Sequence, residues 1–132
     1  MQKKASNKIF LIIIAILIVL TAIVIIISHN QNTIIQKPNP SEIAQIIENK
    51  EITIIDVRTK TEYEQGHIKG AVNIPLANIT NQITYKKNNP IAVYCRTGKR
   101  SLEAAKKLAK IGYTNIYDLG GIENMNIELT TD

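Results

Sequence analysis

Cys95 is the only cysteine in the chain, and it heads the run Cys95-Arg96-Thr97-Gly98-Lys99-Arg100. A thiol attacks as its thiolate, which cations, helix N-termini and converging backbone N–H groups stabilise. The run offers all three. Arg96, Lys99 and Arg100 place positive charge within five residues of the sulfur. Gly98 lets the loop curl so that several amides point at one spot, an arrangement suited to an anion. A helical pattern starts at Ser101, so its unpaired N–H groups and positive dipole end face the same place. The predicted chemistry is a nucleophilic sulfur beside a small-anion site. The plainer reading, a buried inert thiol, calls for none of these neighbours.

The elements around this run are expected to hold it at a sheet end. Residues 91–94 (IAVY) read as a buried strand leading straight into Cys95, and ligands of open α/β sheets bind beyond the carboxyl ends of strands. Further strands are predicted at 33–36, 52–57, 71–74 and 115–119, the third of them stopped by Pro75. Ser41 reads as the N-cap of a helix through Asn49, with Ile43, Ile46 and Ile47 as its buried stripe. A short helix is expected within 59–65. The strongest helical pattern is 101–111 (SLEAAKKLAKI), with Leu102, Ala105, Leu108 and Ala109 on one face and Gly112 as its stop. Strands alternating with helices predict a parallel α/β sheet with helices on both faces.

Two further blocks accompany the cysteine loop. The first is Asp56-Val57-Arg58, then Glu62, Glu64 and Gly66-His67-Ile68-Lys69-Gly70-Ala71-Val72-Asn73-Ile74-Pro75; the second is Leu119-Gly120-Gly121, whose paired glycines read as a turn that needs positive φ. Together the three blocks resemble the rhodanese-like family over about residues 33–126. The resemblance implies a rhodanese-like parallel sheet and a sulfurtransferase mechanism. In it the Cys95 thiolate takes the outer sulfur of thiosulfate or a persulfide donor and holds it as a persulfide. Arg96, Lys99 and Arg100 would receive the anionic donor, and the loop amides of Thr97 and Gly98 would stabilise the persulfide. A thiol, or cyanide, would then accept the sulfur. Arg100 follows Cys95 by five positions rather than the six of tyrosine-phosphatase-type loops, as in the sulfur-transferring members. One departure is Met125, where family members commonly carry a tryptophan.

Asp56 and Arg58 read as a structural ion pair ordering the loops at the sheet end. His67 reads as a hydrogen-bonding structural residue, and Ser101 as support for the loop. With one cysteine and one histidine in the soluble part, neither a metal site nor a cofactor is expected. A single cysteine also excludes an internal disulfide.

The 132-residue chain carries a net charge of +5, but Lys3, Lys4 and Lys8 precede everything else; the remaining 13 basic residues face 11 acidic ones. No basic stripe with interleaved aromatics remains, which argues against nucleic-acid binding. Residues 9–27 carry no charge and only Thr21 is polar. Nineteen helical residues span about 28 Å, close to a bilayer core. The run exceeds a signal-peptide core and lacks a small-x-small site after it, so an anchor is favoured over a cleaved leader. The expected organisation is a cytoplasmic basic N-terminus at 1–8, a transmembrane signal-anchor at 9–27, a linker at 28–32 and a rhodanese-like domain at 33–132. Positive charge before the run places that domain on the extracytoplasmic side, single-pass. Two functions follow from these readings: a turning-over sulfurtransferase, or a membrane-tethered persulfide carrier with little turnover.

Overall fold

Nothing between Gln2 and His29 interrupts a helix: the stretch has neither glycine nor proline. The computed structural model describes residues 2–29 and 34–132, which fall into two units divided after Asn32. In the first, Gln2–His29 forms one helix, α1. Its segment Asn7–Ile27 is long and apolar enough to cross a membrane, with mean hydropathy 3.7 and no buried residue. Thr21, the lone polar side chain of residues 9–27, donates its hydroxyl to the Ile18 carbonyl at 2.8 Å, as threonine does within apolar helices. Ser28 and His29, read as linker, belong to α1, and 30–33 lie outside the described residues.

The second unit is a five-stranded parallel sheet. Its strands are β1 (Ile34–Gln36), β2 (Thr53–Asp56), β3 (Val72–Asn73), β4 (Ile91–Cys95) and β5 (Asn115–Gly121), in the order β1-β5-β4-β2-β3. The helices are α2 (Pro40–Glu48), α3 (Lys60–Glu64), α4 (Ile79–Gln82) and α5 (Lys99–Lys110). Because strand side chains alternate, β4 feeds two cores. Ile91, Val93 and Cys95 pack with Ile79 of α4 and Ala104, Ala105 and Leu108 of α5. Ala92 and Tyr94 pack on the other face with Ile46 of α2, Ile68 and Leu119. The predicted parallel sheet with both faces covered is therefore the fold observed.

Several local details differ from the sequence reading. Asn39, not Ser41, caps α2: its Oδ1 accepts the Ser41 and Glu42 N–H groups at 3.0 Å each, and the Glu42 carboxylate accepts the Asn39 N–H at 2.7 Å. Pro40 takes the first helical position, where a missing N–H costs nothing. Helix α5 begins at Lys99, two residues early, because Gly98 adopts φ +99° and caps it. Its buried face is Ser101, Ala104, Ala105 and Leu108, with Leu102 and Ala109 only half-buried. The 3₁₀ turns Leu76–Asn78 and Ile122–Asn124 and helix α4 lack any periodic pattern long enough to predict. Strand β5 runs to Gly121, and its register against β4 shifts by one residue between Val93 and Tyr94. That bulge brings Gly121, rather than Gly120, opposite Cys95.

Candidate active site

The cysteine loop is shaped by three pieces of backbone. Strand β4 delivers Cys95, fully buried, at the carboxyl end of the sheet. The left-handed Gly98 then turns the chain into α5. The turn aims two backbone donors at the sulfur: Gly98 N–H reaches Sγ at 3.0 Å and Ser101 N–H at 3.3 Å. Ser101 is buried and its hydroxyl donates to the Gly98 carbonyl at 3.0 Å, pinning the turn. These amides belong to the first turn of α5, whose dipole favours negative charge there.

Beneath the loop lies Gly121. A Cβ on it would come within 2.6 Å of the Thr97 carbonyl carbon and 2.7 Å of the Arg96 oxygen, so the loop can rest there only on a glycine. The sequence reading gave both glycines to a turn with positive φ. That holds for Gly120 at +81°, whereas Gly121 has φ −96° and is required by close approach.

The cations of the loop are differently engaged. Arg100 grips Glu62 of α3 with two bonds, Nη1 to Oε2 and Nη2 to Oε1, each 2.8 Å. Glu62 Oε2 also accepts the Thr59 N–H at 2.9 Å and the Thr59 hydroxyl at 2.8 Å, closing a capping box on α3. Held chiefly by the hydrogen bonds from Arg100, and further by those from Thr59, the Glu62 carboxyl lies far below the usual carboxylate range. The same pairing raises Arg100. Arg96 reaches outward to Glu123 at 3.2 Å, with both side chains more than half exposed. Lys99 is exposed and, among the described residues, forms no ion pair; Thr97 is also exposed.

A second, buried network braces the sheet end. Asp56 receives Arg58 through Nε at 3.0 Å and Nη2 at 2.6 Å, and Arg58 Nη2 also donates to the Gly66 carbonyl at 2.6 Å. Burial opposes the Arg58 charge, and Asp56 more than offsets it. The Arg58 guanidinium lies 5.6 Å over the Tyr94 ring, whose hydroxyl accepts the Ile68 N–H at 3.1 Å. His67 is buried, stacks on Tyr63 at 3.7 Å, places Nδ1 2.9 Å from the Tyr63 carbonyl and pairs its backbone with Thr130. Asp56, Arg58 and His67 thus occupy a packed scaffold around the loops.

Sequence reasoning placed Cys95, Gly98 and Ser101 together. It did not foresee Glu62 as the partner of Arg100, although Thr59-x-x-Glu62 announces a capping box. Nor did it foresee the Gly121 floor or the Tyr94 hydroxyl.

With this geometry in view, residues 39–128 match the sequence family described as the rhodanese-like domain. The chain belongs to that family. The thiosulfate sulfurtransferase PspE of Escherichia coli (strain K12) is 38% identical over 74 residues, covering 54% of this chain and 71% of that protein. The uncharacterized protein YqhL of Bacillus subtilis (strain 168) is 45% identical over 71 residues, covering 52% of this chain and 55% of that protein. The chain thus spans about half the length of YqhL. Among solved structures, a rhodanese with anions from E. coli superposes with TM-score 0.58 at 33% identity, over 61% of this chain and 99% of that one. Sulfur transfer is the general activity that rhodanese-like membership supports.

Proposed function

We propose that this rhodanese-like chain is a membrane-tethered sulfurtransferase that carries a sulfane sulfur on Cys95. The observation that carries the reading is the pair of backbone N–H groups, from Gly98 and Ser101, aimed at Sγ. Donors fixed by the fold stabilise a thiolate before attack and an anionic persulfide after it, without reorganising. The Cys95 thiolate attacks the outer sulfur of a thiosulfate-like anion; the donor's S–S bond breaks, sulfite leaves with the electron pair, and Cys95 becomes a persulfide. A thiol or cyanide then attacks that outer sulfur and restores the thiolate. Splitting the transfer into two displacements is covalent catalysis. Thr97, Gly98 and Lys99 line the donor side, while Arg96 and Arg100 are paired with the carboxylates of Glu123 and Glu62, and no cofactor or metal enters the scheme.

The test is incubation of the full chain with thiosulfate, followed by intact mass and by thiosulfate:cyanide turnover. One added sulfur, about 32 Da, should appear on Cys95 alone, and Cys95→Ser should lose both adduct and turnover. Turnover by Cys95→Ser near the wild-type rate would end the proposal. The pairing of Arg96 and Arg100 with carboxylates favours one alternative, a persulfide carrier with little turnover. Full adduct formation with negligible turnover would select it.

The helix α1, with lysines only on its N-terminal side, supports a single-pass anchor with the domain outside the cytoplasm. Recovery in the membrane fraction, and activity of an export-dependent reporter fused at the C-terminus, test both parts. A reporter active only in the cytoplasm would reverse the orientation.

A further inference from the structure

We infer that Glu62 is the donor-specificity residue of this site, holding Arg100 so that the loop suits a monoanionic alkyl persulfide better than dianionic thiosulfate. The inference rests on the sulfur-transfer reading for the identity of the donor, but its electrostatic core stands on geometry alone. Three cations surround the sulfur loop, Arg96, Lys99 and Arg100, and two carboxylates answer them, Glu123 and Glu62. Three against two leaves +1, which the Cys95 thiolate itself balances, so every negative charge a donor brings is uncompensated and a dianion brings one more than a monoanion.

The two pairs are not equivalent. Arg96–Glu123 is a single contact with both side chains more than half exposed, so water and salt screen it. Arg100–Glu62 is bidentate at 2.8 Å, with side chains only 33% and 26% exposed. Parallel two-point contacts of this kind are the strong ones. The remaining acceptor capacity of Glu62 is taken by Thr59, which fixes its rotamer on α3. Gripped at both oxygens, the Glu62 carboxylate offsets the charge of Arg100, and the same contact holds that carboxyl below its usual range. Arg100 nonetheless stands in the first turn of α5 directly before Ser101, whose N–H reaches the Cys95 sulfur at 3.3 Å. Its charge is near the chemistry and withheld from it.

The favoured first step is R–S–S⁻ plus the Cys95 thiolate giving the Cys95 persulfide anion plus R–S⁻. The Sγ–S bond forms, the donor S–S bond breaks, and the leaving thiolate takes its proton from water. Charge is conserved at −2, against −3 for the thiosulfate reaction, and the extra negative charge is what a freed Arg100 would serve.

Glu62→Gln keeps the side chain's shape and removes its charge. The full chain in detergent is treated with iodoacetamide, and sulfate, an unreactive dianion, is titrated as protectant of Cys95, read by mass. Recovering one charge-assisted contact in a partly exposed site should lower the half-protecting sulfate concentration about tenfold in Glu62→Gln. In Glu62→Gln/Arg100→Ala the gain should vanish. In turnover assays Glu62→Gln should lower the KM for thiosulfate about tenfold and leave that for hydroxyethyl persulfide within about twofold. If Glu62→Gln binds sulfate equally or more weakly, Glu62 aims Arg100 at anions instead of withholding it, and the inference is overturned. Failure of every donor to add sulfur to Cys95 would sink the sulfur-transfer reading, while the sulfate titration would still decide the role of Glu62.

Discussion

Gly121 offers the sharpest test of how the loop is built. Replacing it by alanine puts a Cβ 2.6 Å from the Thr97 carbonyl carbon, where ordinary contact begins near 3.4 Å. Both partners are backbone, so neither can swing aside, and the loop must retreat by about 0.8 Å. The Gly98 N–H, now 3.0 Å from Sγ, would move with it towards 3.8 Å, lengthening and weakening its contact with the sulfur. Overpacking of this kind costs about 1–3 kcal/mol. For a soluble part of about a hundred residues, each kcal/mol lowers Tm by about 4–8 °C. The larger effect is kinetic, since a misplacement near 1 Å costs on the order of 100-fold. Gly120→Ala is the matched control: at φ +81° it is strained by about 1–3 kcal/mol, yet nothing lies within 4 Å of the added carbon. The two variants should melt at similar temperatures, and Gly121→Ala should add sulfur to Cys95 roughly 100-fold more slowly than Gly120→Ala. Equal adduct rates in the two variants would refute the floor argument, whatever their stabilities.

Other expectations follow from the two networks. Arg58→Ala leaves the fully buried Asp56 without its cation and should cost about 3–5 kcal/mol, read by chemical denaturation; a change under about 1 kcal/mol would remove the brace from the argument. Tyr94→Phe strips the Ile68 N–H of its buried acceptor and should cost about 1–3 kcal/mol by the same measurement. Glu62, depressed from 4.5 in the folded state, contributes stability that is present above pH 4.5 and lost as the solution is acidified towards its folded value. Thermal melts of Glu62→Gln between pH 6 and pH 2 should therefore fall less steeply than those of the wild type.

What could be read from the sequence was what lies close together along it. The cysteine loop fits within six residues, its strand and helix abut it, and each carries its own periodicity, so the position of the loop was legible. The Arg100–Glu62 pair joins residues 38 apart, and only the folded α3 brings them face to face. The Gly121 floor depends on a one-residue bulge, which no alternation pattern encodes. Helix ends shifted for a local reason: Asn39 competes with Ser41 for the cap and wins because Pro40 fits the first turn. Segment 76–82 is too short to show a period at all.

The strand order has a consequence for how the domain is made. Strand β5 is the last to leave the ribosome, yet it sits inside the sheet, between β1 and β4. The 81 positions from Ile34 to Asn115 take about 4–16 s to synthesise at ordinary rates. Throughout that interval β1, which pairs with β5 alone, has no partner, and an unpaired strand edge invites association with other chains. Cys95 emerges in the same window, before the Gly121 floor exists to receive its loop. The nascent domain therefore cannot close from its beginning; its sheet and its cysteine loop are completed together, by one late insertion.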